Sequence, residues 1–146
     1  MERAFDRLGE IERAYDAPHC IVLGDCHQGN TYILPEGERL WLDWQLVRRG
    51  RPWRDLTYFV IGALSIEERR KHHKDMVKQY REYLIATGAQ GVPGFDEAWE
   101  QSRLFVMYGL QAWVANLDAW GQNGVPMNER FFTAAEDYGT WQLLGE

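Results

Sequence analysis

The chain has 146 residues, enough for one domain that buries about 68–70% of the surface its unfolded form exposes. Its formal net charge of −6 argues against a nucleic-acid partner, because binding phosphates requires a basic face. No apolar run approaches the roughly 20 residues needed to cross a bilayer, and the N-terminus is charged throughout, so we expect a soluble cytoplasmic protein without a membrane partner.

The first half of the chain predicts one helix followed by short strands. Residues 2–15 place apolar side chains at helical spacing, and Pro18 is expected to end this helix. Three short β-type runs follow, at residues 20–23, 31–34 and 40–43.

The segment PEGE, between the second and third β-type runs, predicts the turn of a hairpin. If the hairpin closes symmetrically around this turn, Leu34 pairs with Arg39 and Asn30 stands opposite Asp43. Directly paired residues hold their Cβ atoms about 4.5–5.5 Å apart. The predicted register therefore brings an amide and a carboxylate together at the open end of the hairpin.

The second half of the chain predicts helices and no strands. Ser65 and Glu68 have the spacing of a capping box, which opens a polar helix toward Gly88. A long apolar helix is expected from about residue 96, and Asn128 is expected to cap a last helix. The predicted fold class is α+β and mainly α, with a small hairpin inserted in a helical domain.

Three oxygen-bearing side chains are predicted near the open end of the hairpin. Asp25 lies in the loop before it, five residues ahead of Asn30, and Asp43 ends the third β-type run. Carboxylate and amide oxygens suit Mg²⁺, which is bound together with substrate phosphates. The same Asp-x-x-x-x-Asn spacing with a downstream Asp is typical of kinase catalytic loops.

The stretches LGDCHQGN and LDWQLVRRGRPWRDLTYFV resemble the aminoglycoside phosphotransferase and choline-kinase-like family of small-molecule kinases. The resemblance is close from about residue 18 to residue 64 and looser in the aromatic helices that follow. GDCHQGN is also similar to bacterial stress-response kinases of the same superfamily. The resemblance to small-molecule kinases implies a kinase-like C-terminal lobe. Residues 1–64 would hold the catalytic loop, the hairpin and the metal-binding segment, and residues 65–146 would form a helical acceptor-binding subdomain.

The resemblance implies ATP and Mg²⁺ as cofactors and a small-molecule hydroxyl, such as that of an aminoglycoside or choline, as the acceptor. It also assigns roles to single residues. The catalytic base would be Asp25, and the magnesium ligands would be Asn30 and Asp43. Supporting roles fall to His27, Gln45 and Asp55. The candidates for acceptor binding are Tyr108, Trp113 and Asp118.

Two departures from the family pattern bear on activity. Leu23 stands where the family has a bracing histidine, so Asp25 is expected to be held less rigidly. Only 24 residues precede Asp25, too few for an N-terminal lobe with its glycine-rich loop and strand lysine. Without this N-terminal kinase lobe as a partner, we expect weak or no ATP binding, no measurable turnover, and self-association through an exposed, apolar cleft edge. The alternatives are a non-catalytic kinase relic that binds a small molecule or partner, and the lobe of a stress-response-type protein kinase.

Overall fold

The computed structural model describes residues 2–15, 19–116, 119 and 121–145. Within this part of the chain the fold is α+β and mainly α, as predicted. Its elements are, in order, α1 (Glu2–Ala14), β1 (Cys20–Val22), β2 (Thr31–Ile33), β3 (Arg39–Trp41), β4 (Arg48–Gly50), α2 (Pro52–Ala63), α3 (Ile66–Ala86), α4 (Phe95–Ala115), α5 (Gly124–Tyr138) and α6 (Thr140–Leu143). Single 3₁₀ turns lie at Gln28–Asn30 and Gly121–Asn123.

The hairpin of β2 and β3 forms, but the predicted register is wrong by one residue. Thr31 pairs with Trp41 and Ile33 with Arg39. The Leu34 amide donates to the Glu38 carbonyl (2.8 Å), which leaves a three-residue loop. The last loop residue, Gly37, has a φ of 90°, and a left-handed glycine at this position is typical of three-residue hairpin loops.

The sequence analysis missed one strand, β4, which pairs antiparallel with β1. The register places Cys20 opposite Gly50 and Val22 opposite Arg48. This strand contains two consecutive arginines, so it lacks the alternation of apolar and polar residues by which strands are recognised in a sequence. Gly50 allows the close approach, since a Cβ built there would stand 2.8 Å from Val22 Cγ2.

The core is built around α4, which packs against α1, α2, α3 and α5. Ten of its residues are buried, which confirms the prediction of a central, buried helix. None of the described helices is long and apolar enough to pass through a membrane. The large apolar side chains with almost no exposure include Trp53, Leu8, Ile61, Phe105, Met107, Leu110 and Phe131.

The ends of two helices were predicted with different success. Ser65 accepts from the Glu68 amide, and the Glu68 carboxylate accepts from the Ser65 amide, so the predicted capping box at α3 is confirmed. The predicted cap at Asn128 is wrong, because α5 already begins at Gly124 and Asn128 lies inside it. Pro126 falls in the first turn of α5, where a missing amide proton is tolerated.

Four polar side chains form a hydrogen-bonded chain between α2, α3, α4 and α5. The hydroxyls of Thr57 and Ser102 are 2.5 Å apart, and Ser102 Oγ lies 3.2 Å from His73 Nε2. The other ring nitrogen of His73 is 2.8 Å from the Tyr138 hydroxyl. His73 is only 1% exposed, and burial, together with the charge of Arg69, lowers its pKa from 6.5 to about 3.

The buried neutral state of His73 predicts a loss of stability in acid. Because the unfolded chain takes up this proton near pH 6.5, the contribution is complete above that pH and is lost as pH falls toward 3. We expect His73 to remove about 2 kcal/mol of unfolding free energy between pH 7 and pH 5. Urea unfolding at both pH values should show that His73→Gln removes this difference. His72→Gln, at an exposed neighbouring position, should keep it; equal pH dependence in the two variants would contradict the prediction.

Two glycines inside helices of the core predict opposite effects of an added methyl group. A Cβ at Gly109 would lie 2.0 Å from Cε1 of the buried Phe131 ring, so Gly109→Ala should destabilise by about 1–3 kcal/mol. A Cβ at Gly62 would meet only the mobile end of Met127, at 2.9 Å. Gly62→Ala should therefore be neutral or stabilising by up to about 1 kcal/mol through helix propensity. Urea denaturation measures both, and equal stability of the two variants would be inconsistent with this packing.

Candidate active site

The loop between β1 and β2 is anchored from below by Asp55, in the first turn of α2. Its carboxylate accepts the backbone amides of Leu23 (2.6 Å) and Gly24 (3.2 Å). Burial raises the pKa of Asp55, while these two hydrogen bonds act to lower it. The predicted role of Asp55, anchoring the loop from the following helix, has this geometric basis.

Gly24 is a second fixed point of the loop. Its φ is 85°, and a Cβ there would stand 2.5 Å from the Leu46 carbonyl oxygen, so a side chain would be excluded by both backbone strain and contact. The Tyr108 hydroxyl donates to the Gly24 carbonyl (2.8 Å). Burial raises the pKa of Tyr108 to about 12, so this hydroxyl keeps its proton at neutral pH.

Asp25 follows directly and presents a partly exposed carboxylate, with 28% of the side chain accessible. The Tyr58 hydroxyl, from α2, donates to its Oδ1 at 3.3 Å. Burial raises the pKa of Tyr58, which keeps this hydroxyl a donor. The Asp25 carboxylate is therefore oriented from one side and open on the other.

His27 supports the loop from within it. Its Nδ1 accepts the Gly29 amide (3.1 Å), which caps the 3₁₀ turn and assigns the ring proton of the neutral form to Nε2. Nε2 lies 3.8 Å from Asp25 Oδ1. The ring of Trp113 meets the His27 ring edge-on, with centroids 5.7 Å apart.

Asn30 is oriented by the backbone of the residue five positions earlier. Its Nδ2 donates to the Asp25 carbonyl at 2.9 Å. Because the amide nitrogen is used in this way, the orientation of the side chain is fixed and Oδ1 is left as the acceptor. The hydrogen bond thus holds Asn30 against the backbone of Asp25, and the roles predicted for the two side chains stay predictions.

Asp43 lies beyond the end of β3 in a left-handed conformation, with a φ of 54°. Its carboxylate accepts the Gln45 amide (3.4 Å) and the Gln45 side-chain Nε2 (3.3 Å). The predicted supporting residue Gln45 thus contacts Asp43. Both residues are exposed.

The argument that paired Asn30 directly with Asp43 is corrected by the observed register. The Leu42 amide donates to the Asn30 carbonyl (2.8 Å), so Leu42, and not Asp43, faces Asn30. Among the described residues there is also no group of three or more His, Cys, Asp or Glu side chains able to hold a metal. The oxygen donors of Asn30 and Asp43 are of the type that Mg²⁺ accepts together with water and phosphate, but the described residues form no self-sufficient metal cage.

The acceptor-binding candidates stand differently in the structure. Tyr108 is half-buried and bonded to the loop, and Trp113 is only 6% exposed, so both support the loop more than they offer free surface. Asp118 lies outside the described residues. The sequence analysis missed Tyr58; its position three residues after Asp55, on the same face of a helix, is the signal that could have found it.

Leu23, in place of the family histidine, contributes to an apolar cavity of about 460 Å³. Trp41, Trp44 and Phe59 line it as well, and Asp55 forms part of its wall. The loop thus gains apolar packing at this position, while Asp55, Tyr58 and Tyr108 supply its hydrogen bonds.

A family model described as "Uncharacterized oxidoreductase dhs-27" (DUF1679) matches residues 17–109. The chain belongs to this family. DUF1679 is distantly kinase-like, and the matched range covers the whole loop, both strand pairs and most of α4. No curated protein and no solved structure matches the chain significantly.

The two bonds to Asp55 predict that the loop loosens when its carboxylate is changed. In Asp55→Asn, the amide group can accept with only one oxygen, and its NH₂ group opposes the second backbone donor. We expect a loss of about 2–3 kcal/mol in unfolding free energy and faster hydrogen exchange at Leu23 and Gly24. Asp75→Asn removes an exposed carboxylate that, within the described ranges, is bonded to Lys78 alone, and should change neither. Unchanged exchange at both amides would refute the anchoring role.

Proposed function

We propose that this chain carries the catalytic loop of an ATP- and Mg²⁺-dependent phosphotransferase that acts on a hydroxyl group. The observation that carries the proposal is the bond from Asn30 Nδ2 to the Asp25 carbonyl. It joins the Asn30 side chain to the backbone of Asp25, whose carboxylate is partly exposed, and the two residues have the Asp-x-x-x-x-Asn spacing of kinase catalytic loops. The kinase-like character of the DUF1679 family supports the same conclusion.

In this proposal Asp25 accepts the proton of the acceptor hydroxyl. Its carboxylate is oriented by Tyr58 and held on a loop whose backbone is fixed by Asp55. Such orientation matters because phosphoryl transfer depends almost entirely on positioning and charge stabilisation. The open side of the carboxylate is where a hydroxyl would approach.

Asn30 and Asp43 would hold Mg²⁺ on the nucleotide phosphates, and Gln45 would steady Asp43. Magnesium nucleotide supplies the transferable phosphoryl group and neutralises its charge. The protein's own part is to present two oxygens from the loop and from the end of β3. The acceptor is proposed to be a small molecule, as the aminoglycoside and choline-kinase-like resemblance implies.

The description of the matching family names an oxidoreductase, which is the second candidate function. Dinucleotide-binding oxidoreductases of the doubly wound type place a glycine-rich turn between a parallel strand and a helix. In the described part of this chain, both strand pairs are antiparallel and their strands have three residues each. The geometry of the loop therefore favours phosphoryl transfer, with a non-catalytic binding module as the remaining alternative.

The metal site is tested with Mn²⁺ as a paramagnetic substitute for Mg²⁺ in the presence of ATP. We expect binding weaker than about 1 mM, with NMR signals broadened most strongly around Asn30 and Asp43. Asp43→Asn should weaken this broadening at least tenfold, because it replaces a charged ligand by a neutral one. Asp75→Asn is the matched control for loss of a surface carboxylate. Broadening that is unchanged in Asp43→Asn would contradict the assignment of Asp43 as a metal ligand.

Catalysis is tested by acceptor-dependent ADP release across a panel of hydroxyl compounds. We expect slow turnover at most, and Asp25→Asn should reduce any turnover by about 10²–10⁴, the usual contribution of a positioned base. Asp75→Asn should leave the rate unchanged. Turnover that survives Asp25→Asn would overturn the role of Asp25. Metal binding at Asn30 and Asp43 without turnover would favour the binding module.

A further inference from the structure

A second cavity, of about 330 Å³, lies between the C-terminal half of α1 and the segment that joins β4 to α2. We call it the basic pocket; its lining residues are Gly9, Glu12, Arg13, His19, Arg48, Arg49, Gly50 and Arg51. Among the described residues that line it are four arginines and one glutamate, although the whole chain has a net charge of −6. A concentration of positive charge in a concave site attracts anions.

Arg51 is the fixed cation of the basic pocket. It is only 3% exposed, its Nη2 donates to the Ile11 carbonyl (2.8 Å), and its guanidinium lies 3.4 Å from the centroid of the Tyr15 ring. Its Nε is buried and has no hydrogen-bond partner among the described residues. A buried cation with an unused donor is costly unless something compensates it.

Arg48 and Arg49 are exposed side chains on a fixed backbone. The pairing of β4 with β1 holds their Cα atoms, while neither guanidinium makes a hydrogen bond or an ion pair within 4.0 Å in the described part of the chain. Arg13 extends over Gly9, whose missing side chain leaves room for the guanidinium. These three cations are therefore available to a ligand.

Glu12 is the acidic side chain among the described residues that line the basic pocket. Burial raises its pKa, and the nearby charges, of which Arg48 and Arg51 act most strongly, lower it. No ion pair within 4.0 Å joins it to these arginines in the described chain. Glu12 reduces the positive charge of the pocket without occupying the arginine donors.

We propose that the basic pocket binds the phosphate group of a small phosphate monoester. The planar guanidinium group matches phosphate oxygens with two parallel hydrogen bonds, and several of these donors converge here. The volume is at the lower end of the range for small-molecule sites, about 300–1,000 Å³, which favours a phosphate with a short substituent. This proposal is independent of the phosphotransferase function.

Phenyl phosphate, without nucleotide or divalent metal, is the probe for NMR titration of the full chain. We expect a dissociation constant on the order of 1 mM, with shifts centred on residues 48–51 and 12–13. Arg48→Gln and Arg49→Gln should each weaken binding about tenfold, through loss of charge-assisted bonds. Glu12→Gln should strengthen it several-fold.

Arg7→Gln is the matched control, because Arg7 lies on the same α1 helix, is exposed and pairs with Glu10 outside the pocket. If Arg7→Gln weakened phenyl phosphate binding as much as Arg48→Gln does, the binding would reflect non-specific charge and the proposal would be overturned. NMR shifts centred outside residues 48–51 and 12–13 would overturn it as well. Benzyl alcohol, which lacks the phosphate, should not bind. A phosphoserine peptide that binds more than tenfold tighter than free phosphoserine would overturn the small-molecule assignment in favour of a phosphoprotein.

Discussion

The candidate active site depends on one carboxylate bound to two consecutive backbone amides. Asp55, on α2, holds the amides of Leu23 and Gly24, and the chain then reaches Asp25 through a left-handed glycine. Because the carboxylate accepts hydrogen bonds from backbone amides, it fixes the main chain of the loop and thereby the position of the Asp25 side chain that follows. Because α2 is packed against α4, the loop is positioned relative to the rigid core.

The apolar surface around the hairpin has a different character. The large side chains exposed there include Ile33, Leu40, Trp44, Leu46 and Val47. Large apolar side chains exposed on one segment are typical of a surface that contacts another protein segment. An apolar cleft edge was expected because the N-terminal lobe of a kinase would normally cover it, and the self-association inferred from it stays a prediction.

The parts of the fold that could be predicted are those with strong local signals. The capping box at Ser65, the apolar α4 and the hairpin turn all depend on residues close in sequence. The register was wrong because one left-handed residue, Gly37, decides between two loop lengths. Strand β4 was missed because Arg48 and Arg49 pair with a distant strand through backbone alone.

The same distinction applies within the candidate site. The spacing of Asp25 and Asn30 is local, so it could be predicted, and the bond between Asn30 and the Asp25 backbone agrees with it. The hydrogen bonds from Tyr58 and Tyr108 join residues 33 and 84 positions apart, and no local sequence pattern indicates pairs at such separations.

The two halves of the site differ in how firmly they are held. Asp25 and Asn30 lie on a loop fixed by bonds from α2 and α4. Asp43 and Gln45 are exposed and joined mainly to each other, by contacts of 3.3–3.4 Å that are long for hydrogen bonds. Of the two proposed magnesium ligands, Asn30 is therefore held in advance by the loop and Asp43 is not. Binding of the proposed metal would have to order Asp43, and part of the binding free energy would be lost in doing so.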